Sequence, residues 1–203
     1  MAGARADRDV PTLAIEPANE IDELTLRRAQ RGDQAACRAL VERYQRPVFG
    51  LLHRMLGPTR SDRVEDLAQE TFLHVFRSLA AFAPLGPARL STWILTIASR
   101  RAVDELRRSG RTGETADLDE AQVASTERAD EGARRSALAA RVAAAVAALA
   151  PEYRAAFLLR AYHGFDYGEI ARALECEIGT VKSRLSRARA ELRRALREDD
   201  GDE

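Results

Sequence analysis

Cysteine is nearly absent from this chain, and the two present, Cys37 and Cys176, sit in no ligand or redox pair. That excludes a disulfide framework and a thiolate metal site, and it predicts a reducing, cytoplasmic environment. Aromatic residues make up only 5%, and the three histidines, His53, His74 and His163, are scattered. No Ser-His-Asp or Cys-His set and no glycine-rich phosphate loop is evident, so the sequence offers neither an enzyme active site nor a cofactor site. Glu70 and His74 do not form a carboxylate-bridged metal site either, because no second Glu-x-x-His accompanies them. No run approaches the roughly 18 apolar residues needed to span a bilayer, and the first twenty residues lack the apolar stretch of a signal peptide. Net charge is also missing: 32 Lys and Arg balance 32 Asp and Glu.

What is present is helix. Leu, Ala, Arg and Glu dominate long segments with little internal Gly or Pro, which argues for an all-α protein. A short helix from about Asp22 to Arg31 meets Gly32-Asp33, a stop followed by a start signal. A longer helix then runs through Leu40, Tyr44, Val48, Leu51 and Leu52 to Gly57, with a kink expected at Pro47. Ser61 to Ala80 is a third, with the inward stripe Val64, Leu67, Ala68, Phe72, Val75, Phe76 and Leu79. Pro84, Gly86 and Pro87 impose a loop over Phe82 to Leu90. Ser91 is the expected cap of a fourth helix carrying Trp93, Ile94, Ile97, Val103 and Leu106. Helices resume at Ser136 through Leu138, Val142, Val146 and Leu149, and again after Pro151 to Gly164.

The charges are also unevenly spread. Glu114 to Glu131 and the tail Glu198 to Glu203 are acidic, whereas the segment from Thr180 to Arg197 is strongly basic. In that segment Val181, Leu185, Ala188, Leu192 and Leu196 recur at helical spacing and mark a buried stripe. At about 100° per residue the opposite side gathers Ser183, Ser186, Arg187, Ala190, Arg194 and Arg197, flanked by Lys182 and Arg184. Thr180 is the expected N-cap, with Gly179 turning the chain before it. Upstream, Asp166 and Glu169 have the spacing of a capping box for a short helix with Ile170 and Leu174 inward. Two helices joined by a tight turn, the second with a basic outer face, form a helix-turn-helix suited to the DNA major groove. A basic amphipathic helix with merely solvated arginines is the alternative. A helix-turn-helix alone suits repressors, response regulators and sigma factors equally.

The upstream residues distinguish among these. Gly32-Asp33, Arg43-Tyr44, Asp66-Leu-Ala-Gln-Glu-Thr-Phe72, Ser91-Thr-Trp93, Ile97-Ala98 and Asp104-Glu-Leu-Arg-Arg108 resemble region 2 of bacterial sigma factors of the extracytoplasmic-function (ECF) group. Leu149, Pro151-Glu-Tyr-Arg154, Phe165-Asp-Tyr-Gly-Glu-Ile-Ala171 and Gly179-Thr-Val-Lys-Ser-Arg184 resemble their region 4. The resemblance spans Asp22 to Leu196. It implies two helical domains on a tether: a disordered extension over 1–21, region 2 over 22–110, an acidic flexible linker over 111–135, region 4 over 136–197 and an acidic tail over 198–203.

It also implies partners: core RNA polymerase through its β′ clamp helices and β flap, promoter DNA, and an anti-sigma factor. Asp62, Asp66, Gln69 and Glu70 correspond to the face that docks on the clamp helices, although helix carboxylates of this kind are usually only solvated. The minus 10 element would meet the loop Phe82 to Leu90 with Trp93, Thr96, Ser99, Arg100, Arg101, Asp104, Arg107 and Arg108, since rings stack on unpaired bases and guanidiniums hold the backbone. Trp93 has a strong competing reading, since a lone Trp at a helix start is more often a core residue than a DNA-stacking one. Arg100 stands where the family often has Asn, which leaves the preferred base open. Thr180, Lys182, Ser183, Arg184, Ser186 and Arg187 would meet the minus 35 element, while Arg193, Arg194 and Arg197 face backbone or solvent. No cofactor or metal is expected.

Overall fold

The computed structural model describes residues 20–57, 60–83, 89–112 and 131–198, side chains excepted at 111–112, 131–135 and 198. The extension over 1–19, most of the loop before the fourth helix, the acidic stretch 113–130 and the tail lie outside these residues.

Among the described residues eight α-helices follow in order: α1 (Glu23–Gln30), α2 (Gln34–Leu56), α3 (Ser61–Ser78), α4 (Leu90–Thr112), α5 (Glu131–Ala148), α6 (Pro151–Ala161), α7 (Tyr167–Ala173) and α8 (Ile178–Glu198), with a 3₁₀ turn Leu79–Ala81 after α3. Local chemistry sets most of the early boundaries. Asp22 caps α1, its carboxylate accepting from the Thr25 N–H at 2.9 Å. After α1 the chain reverses at Gly32, whose φ of 83° lies in the left-handed region, and Asp33 starts α2 by accepting from the Ala36 N–H. α2 continues through Pro47, which is buried within it.

α2, α3 and α4 pack around Leu40, Leu51, Leu52, Met55, Val75, Leu79 and Ile94, all at most 2% exposed. α5 to α8 close around Leu158, Leu159, Ile170, Val181 and Leu185, and the two groups form one continuous apolar cluster. α6 and α7 both touch α4, and α5 and α6 touch α2. Burial of this kind contributes roughly 1.5–3 kcal/mol for each large apolar side chain.

Several expectations are corrected. Phe76 and Leu138 are exposed rather than core-facing; Thr71 takes a core position on α3, its hydroxyl satisfied by the Leu67 carbonyl at 2.7 Å. α4 begins at Leu90, so Ser91 lies inside the first turn rather than capping it. Helix α4 also persists past Arg108 to Thr112, and α5 begins at Glu131, where Ala133, Arg134 and Arg135 favour helix ahead of the first large apolar residue.

Candidate nucleic-acid and polymerase interfaces

The helix-turn-helix is built by α7 and α8. Asp166 accepts from the Glu169 N–H at 2.7 Å while the Glu169 carboxylate accepts from the Asp166 N–H at 2.8 Å, a complete capping box. The turn between the helices differs from expectation. α8 begins at Ile178, which places Gly179 and Thr180 inside its first turn, and Thr180 is not the N-cap. Glu175 provides the reversal instead, with φ of 49°. Cys176 is half-buried there, its Sγ 3.5 Å from an Arg184 guanidinium nitrogen.

Val181, Leu185, Ala188 and Leu192 bury one side of α8. Lys182, Ser183, Ser186 and Arg187 are exposed on the other, with Thr180 and Arg184 half-exposed. The Ser183 hydroxyl donates to the Thr180 carbonyl at 2.9 Å, and Arg187 reaches the Tyr153 hydroxyl on α6 at 2.9 Å. Farther along, Ala190, Arg193, Arg194 and Arg197 line a shallow basic groove of about 350 Å³. Guanidiniums along one helix face give the electrostatic footprint of a phosphate-binding surface.

Asp62, Asp66, Gln69 and Glu70 are all exposed along one side of α3. Asp66 accepts from Arg63 at 2.9 Å, and Glu70 from Arg101 of α4 at 2.6 Å. Arg63 also grips Glu105, buried on α4, at 2.8 Å, and Arg108 shares that carboxylate. The Arg63 hydrogen bond outweighs burial and holds the Glu105 carboxyl below its ordinary range. α3 and α4 are therefore joined by a charge network that links the acidic face to the arginines behind it.

The residues expected along α4 separate into three groups. Arg101 reaches Glu70 of α3, whereas Arg108 pairs with Glu105 of its own helix. Ser99 is fully buried, its hydroxyl donating to the Thr96 carbonyl at 3.0 Å, so it does not present to a ligand in this arrangement. Trp93 is half-buried against Phe82, ring centroids 5.1 Å apart, and Thr96 is half-exposed with its hydroxyl on the Thr92 carbonyl. Arg100, Asp104 and Arg107 are exposed, and Arg100 and Arg107 reach toward the second half of the chain. There Arg100 meets the end of α7, and Arg107 meets Glu152 of α6 at 2.6 Å.

Other residues shape these surfaces through contacts that the sequence did not reveal. Glu20 accepts from the Tyr44 hydroxyl at 2.7 Å and from the Ser91 N–H and hydroxyl at the start of α4. Arg154 is buried on α6 and donates to the carbonyls of Met55, Ala147 and Leu149. Glu152, Glu169 and Glu175 meet α4 along the seam where α6 and α7 approach it, with the Glu175 side chain 73% exposed. Apart from Ala147 and Leu149, these partners are dozens of residues distant, so no local pattern exposes the contacts. Among the described residues, no group of His, Cys, Asp and Glu is placed to hold a metal ion.

Comparison with known proteins covers both halves. Residues 40–112 match the family Sigma-70 region 2, and residues 139–192 match Sigma-70, region 4. The RNA polymerase sigma-H factor of Pseudomonas aeruginosa is 33% identical over 186 residues, which cover 87% of this chain and 94% of that protein. The ECF RNA polymerase sigma-E factor of Escherichia coli (strain K12) is 33% identical over 83% of this chain and 90% of its own. Among solved structures, CnrH in complex with the cytosolic domain of CnrY superposes with a TM-score of 0.61 at 26% identity, over 88% of this chain and 98% of that one. The fold also matches the sigma factor RpoE in complex with the anti-sigma factor NepR from Bartonella quintana, with a TM-score of 0.57 at 24% identity over 79% and 96% of the two chains.

Proposed function

The chain belongs to the sigma-70 family, in its ECF group, and directs RNA polymerase to promoters; we propose that it does so with three separate surfaces. Asp62, Asp66, Gln69 and Glu70 on α3 dock on core polymerase. The exposed part of α4, with Trp93, Thr96, Arg100, Arg101, Asp104, Arg107 and Arg108, holds the melted minus 10 strand. Ser99 joins that set only where α4 rearranges to expose it. Thr180, Lys182, Ser183, Arg184, Ser186 and Arg187 on α8 read the minus 35 duplex.

The observation that carries this reading is the presence of both sigma regions in one chain, with an acidic face on α3 and a basic face on α8 exposed on different helices. Acidic side chains suit a basic protein surface and repel DNA, while guanidiniums and hydroxyls suit phosphate and base edges. The division of labour follows from charge. Polymerase performs the chemistry of RNA synthesis; this chain supplies position and strand capture.

We place its work with polymerase in the cytoplasm; no helix among the described residues is long and apolar enough to cross a membrane. A protein antagonist fits the same reading, since CnrH was solved with the cytosolic domain of CnrY and the family resemblance implies an anti-sigma factor. The domain division 22–110 and 136–197, on a tether of 111–135, completes the proposal.

Transcription with purified core enzyme on a pool of genomic fragments tests it. The expected result is binding to core and initiation from a small set of promoters sharing two spaced elements. Failure to bind core and to initiate anywhere would remove the reading, and tight operator binding without polymerase would replace it with an autonomous regulator.

A further inference from the structure

α1 carries none of the residues assigned to polymerase or DNA, yet this helix and its lead-in fasten both sides of the aromatic pair at the head of α4. At the last residue of α1 the Gln30 amide nitrogen donates to the Leu79 carbonyl at 3.0 Å and to the Phe82 carbonyl at 2.8 Å. Those carbonyls bracket the 3₁₀ turn after α3, from which Phe82 leaves with extended backbone. Just ahead of α1, Glu20 accepts from the Ser91 N–H at 3.3 Å and from the Ser91 hydroxyl, while the Tyr44 hydroxyl of α2 donates to the same carboxylate at 2.7 Å. Trp93 follows Ser91 by two residues. Its ring meets that of Phe82 with centroids 5.1 Å apart and planes inclined at 36°.

Each fastener has the chemistry its side requires. An amide NH2 has two hydrogens for two carbonyls, whereas a carboxylate has only lone pairs, which suit an N–H and two hydroxyls. Between them stands α1, 8 residues and about 12 Å of helix, which does not stretch. Stacking favours an unpaired base most where an aromatic face is already held in place for it. We propose that α1 braces the minus 10 platform: Gln30 holds the Phe82 side and Glu20 holds the Trp93 side. The two are positioning residues that set how this ring pair receives an unpaired base, without touching DNA themselves. The inference rests on the assignment of Trp93 and α4 to the minus 10 strand. It places a determinant of base preference on a helix remote from the reader in sequence and joined to its ring pair in space.

The test uses holoenzyme assembled with the full chain carrying Gln30→Leu, which keeps bulk but has no donor, or Glu20→Leu. The control is Arg31→Gln, an exposed change at the end of the same helix. Transcription from a promoter library randomised across the minus 10 element, with the minus 35 element retained, reads base preference. Emission of Trp93, the chain's single tryptophan, reads the ring pair in the free protein. In both variants preference at the most selective minus 10 position is expected to fall at least about threefold, a fraction of one stacking contact. Trp93 emission should shift to the red, with core binding that of the control. Ser91→Ala removes a partner of Glu20 from the opposite side, so it should act the same way by a smaller step and add little to Glu20→Leu. It carries the prediction where a larger change unfolds the chain. A lowered melting temperature with parental base preference makes α1 structural only and overturns the brace. The library separates the two ideas. If the parent prefers particular minus 10 bases and the variants prefer them equally, the brace alone falls; if the parent shows no such preference, or Trp93→Leu leaves it intact, the assignment falls and the brace with it.

Discussion

The guanidinium of Arg154, on α6, donates to the carbonyl of Met55 at the end of α2, and so connects two helices whose residues are far apart in the chain. The same group reaches the Leu149 carbonyl at 3.0 Å and that of Ala147 as α5 ends. No carboxylate is bonded to it among the described contacts. Burial, with the nearby Arg60 charge, pulls its pKa down to about 10. It is a cation retained for its donors, satisfying carbonyls that helices leave unpaired at their ends.

Replacing Arg154 with Met keeps much of the volume but leaves those carbonyls buried and unpaired. The expected loss is about 1–3 kcal/mol in urea unfolding, after the relief of burying a charge is set against it. Arg154→Lys should recover little, because an ammonium cannot span three divergent carbonyls. Unchanged unfolding midpoints would show the bonds to be dispensable.

His163 gives a pH signature. It is buried, neither ring nitrogen has a hydrogen-bond partner, and burial with the Arg54 charge lowers its pKa from 6.5 to about 4. Below pH 6.5 the unfolded chain takes up a proton that the folded chain refuses, so stability present above that pH falls as the solution is acidified toward pH 4. The full difference is on the order of 3 kcal/mol. His163→Phe should flatten stability between pH 6.5 and 4; an identical slope in the variant would remove His163 as its source.

Glu105 acts in a different window. Its carboxyl is held below the ordinary 4.5 chiefly by the Arg63 hydrogen bond, so its contribution is present above about pH 4.5 and disappears at more acid pH. Glu105→Gln should cost roughly 1–3 kcal/mol at pH 7 by leaving Arg63 and Arg108 without their shared anion. Thermal melts with and without salt measure this, and partial salt masking is expected because Arg63 is half-exposed.

On α8, Arg187→Ala should weaken minus 35 recognition by about 1–3 kcal/mol and relax selectivity there, with core binding unchanged. Tyr153→Phe is the informative companion. It frees Arg187 from its hydroxyl partner without touching the guanidinium, so promoter affinity should hold or rise. A loss in Tyr153→Phe equal to that in Arg187→Ala, by footprinting with holoenzyme, would assign the arginine to packing instead.

Asp66→Arg should weaken association with core by about tenfold or more, since it places a cation where the basic partner needs an anion. Promoter selectivity of any holoenzyme still formed should remain that of the parent. Normal assembly in a competition assay would take Asp66 off the docking surface.

What the sequence disclosed was set by range. The Asp166 and Glu169 pair was legible because a capping box closes within one helical turn, and the α8 stripe because its partners repeat along a single helix. The turn between α7 and α8 was misread for a reason of the same kind. Gly179 and Thr180 have the composition of a turn, but packing of Val181 and Leu185 extends α8 back to Ile178 and transfers the reversal to Glu175. Phe76 and Leu138 fit a helical stripe as letters, yet helix rotation leaves both exposed. Arg154, and the acidic residues that hold Arg100 and Arg107, are matters of which helix meets which. Periodicity carries nothing about that.

Glu20 has a consequence for handling the protein. Its carboxylate ties the Tyr44 hydroxyl to the first turn of α4, 71 residues away, and Ile21 donates its N–H to that same hydroxyl. A fusion tag, a protease nick or a truncation that disturbs this short lead-in to α1 would therefore be felt at the beginning of α4. Shortened versions meant to remove the upstream extension should keep Glu20 and Ile21, or they will start from a protein already loosened where α4 begins.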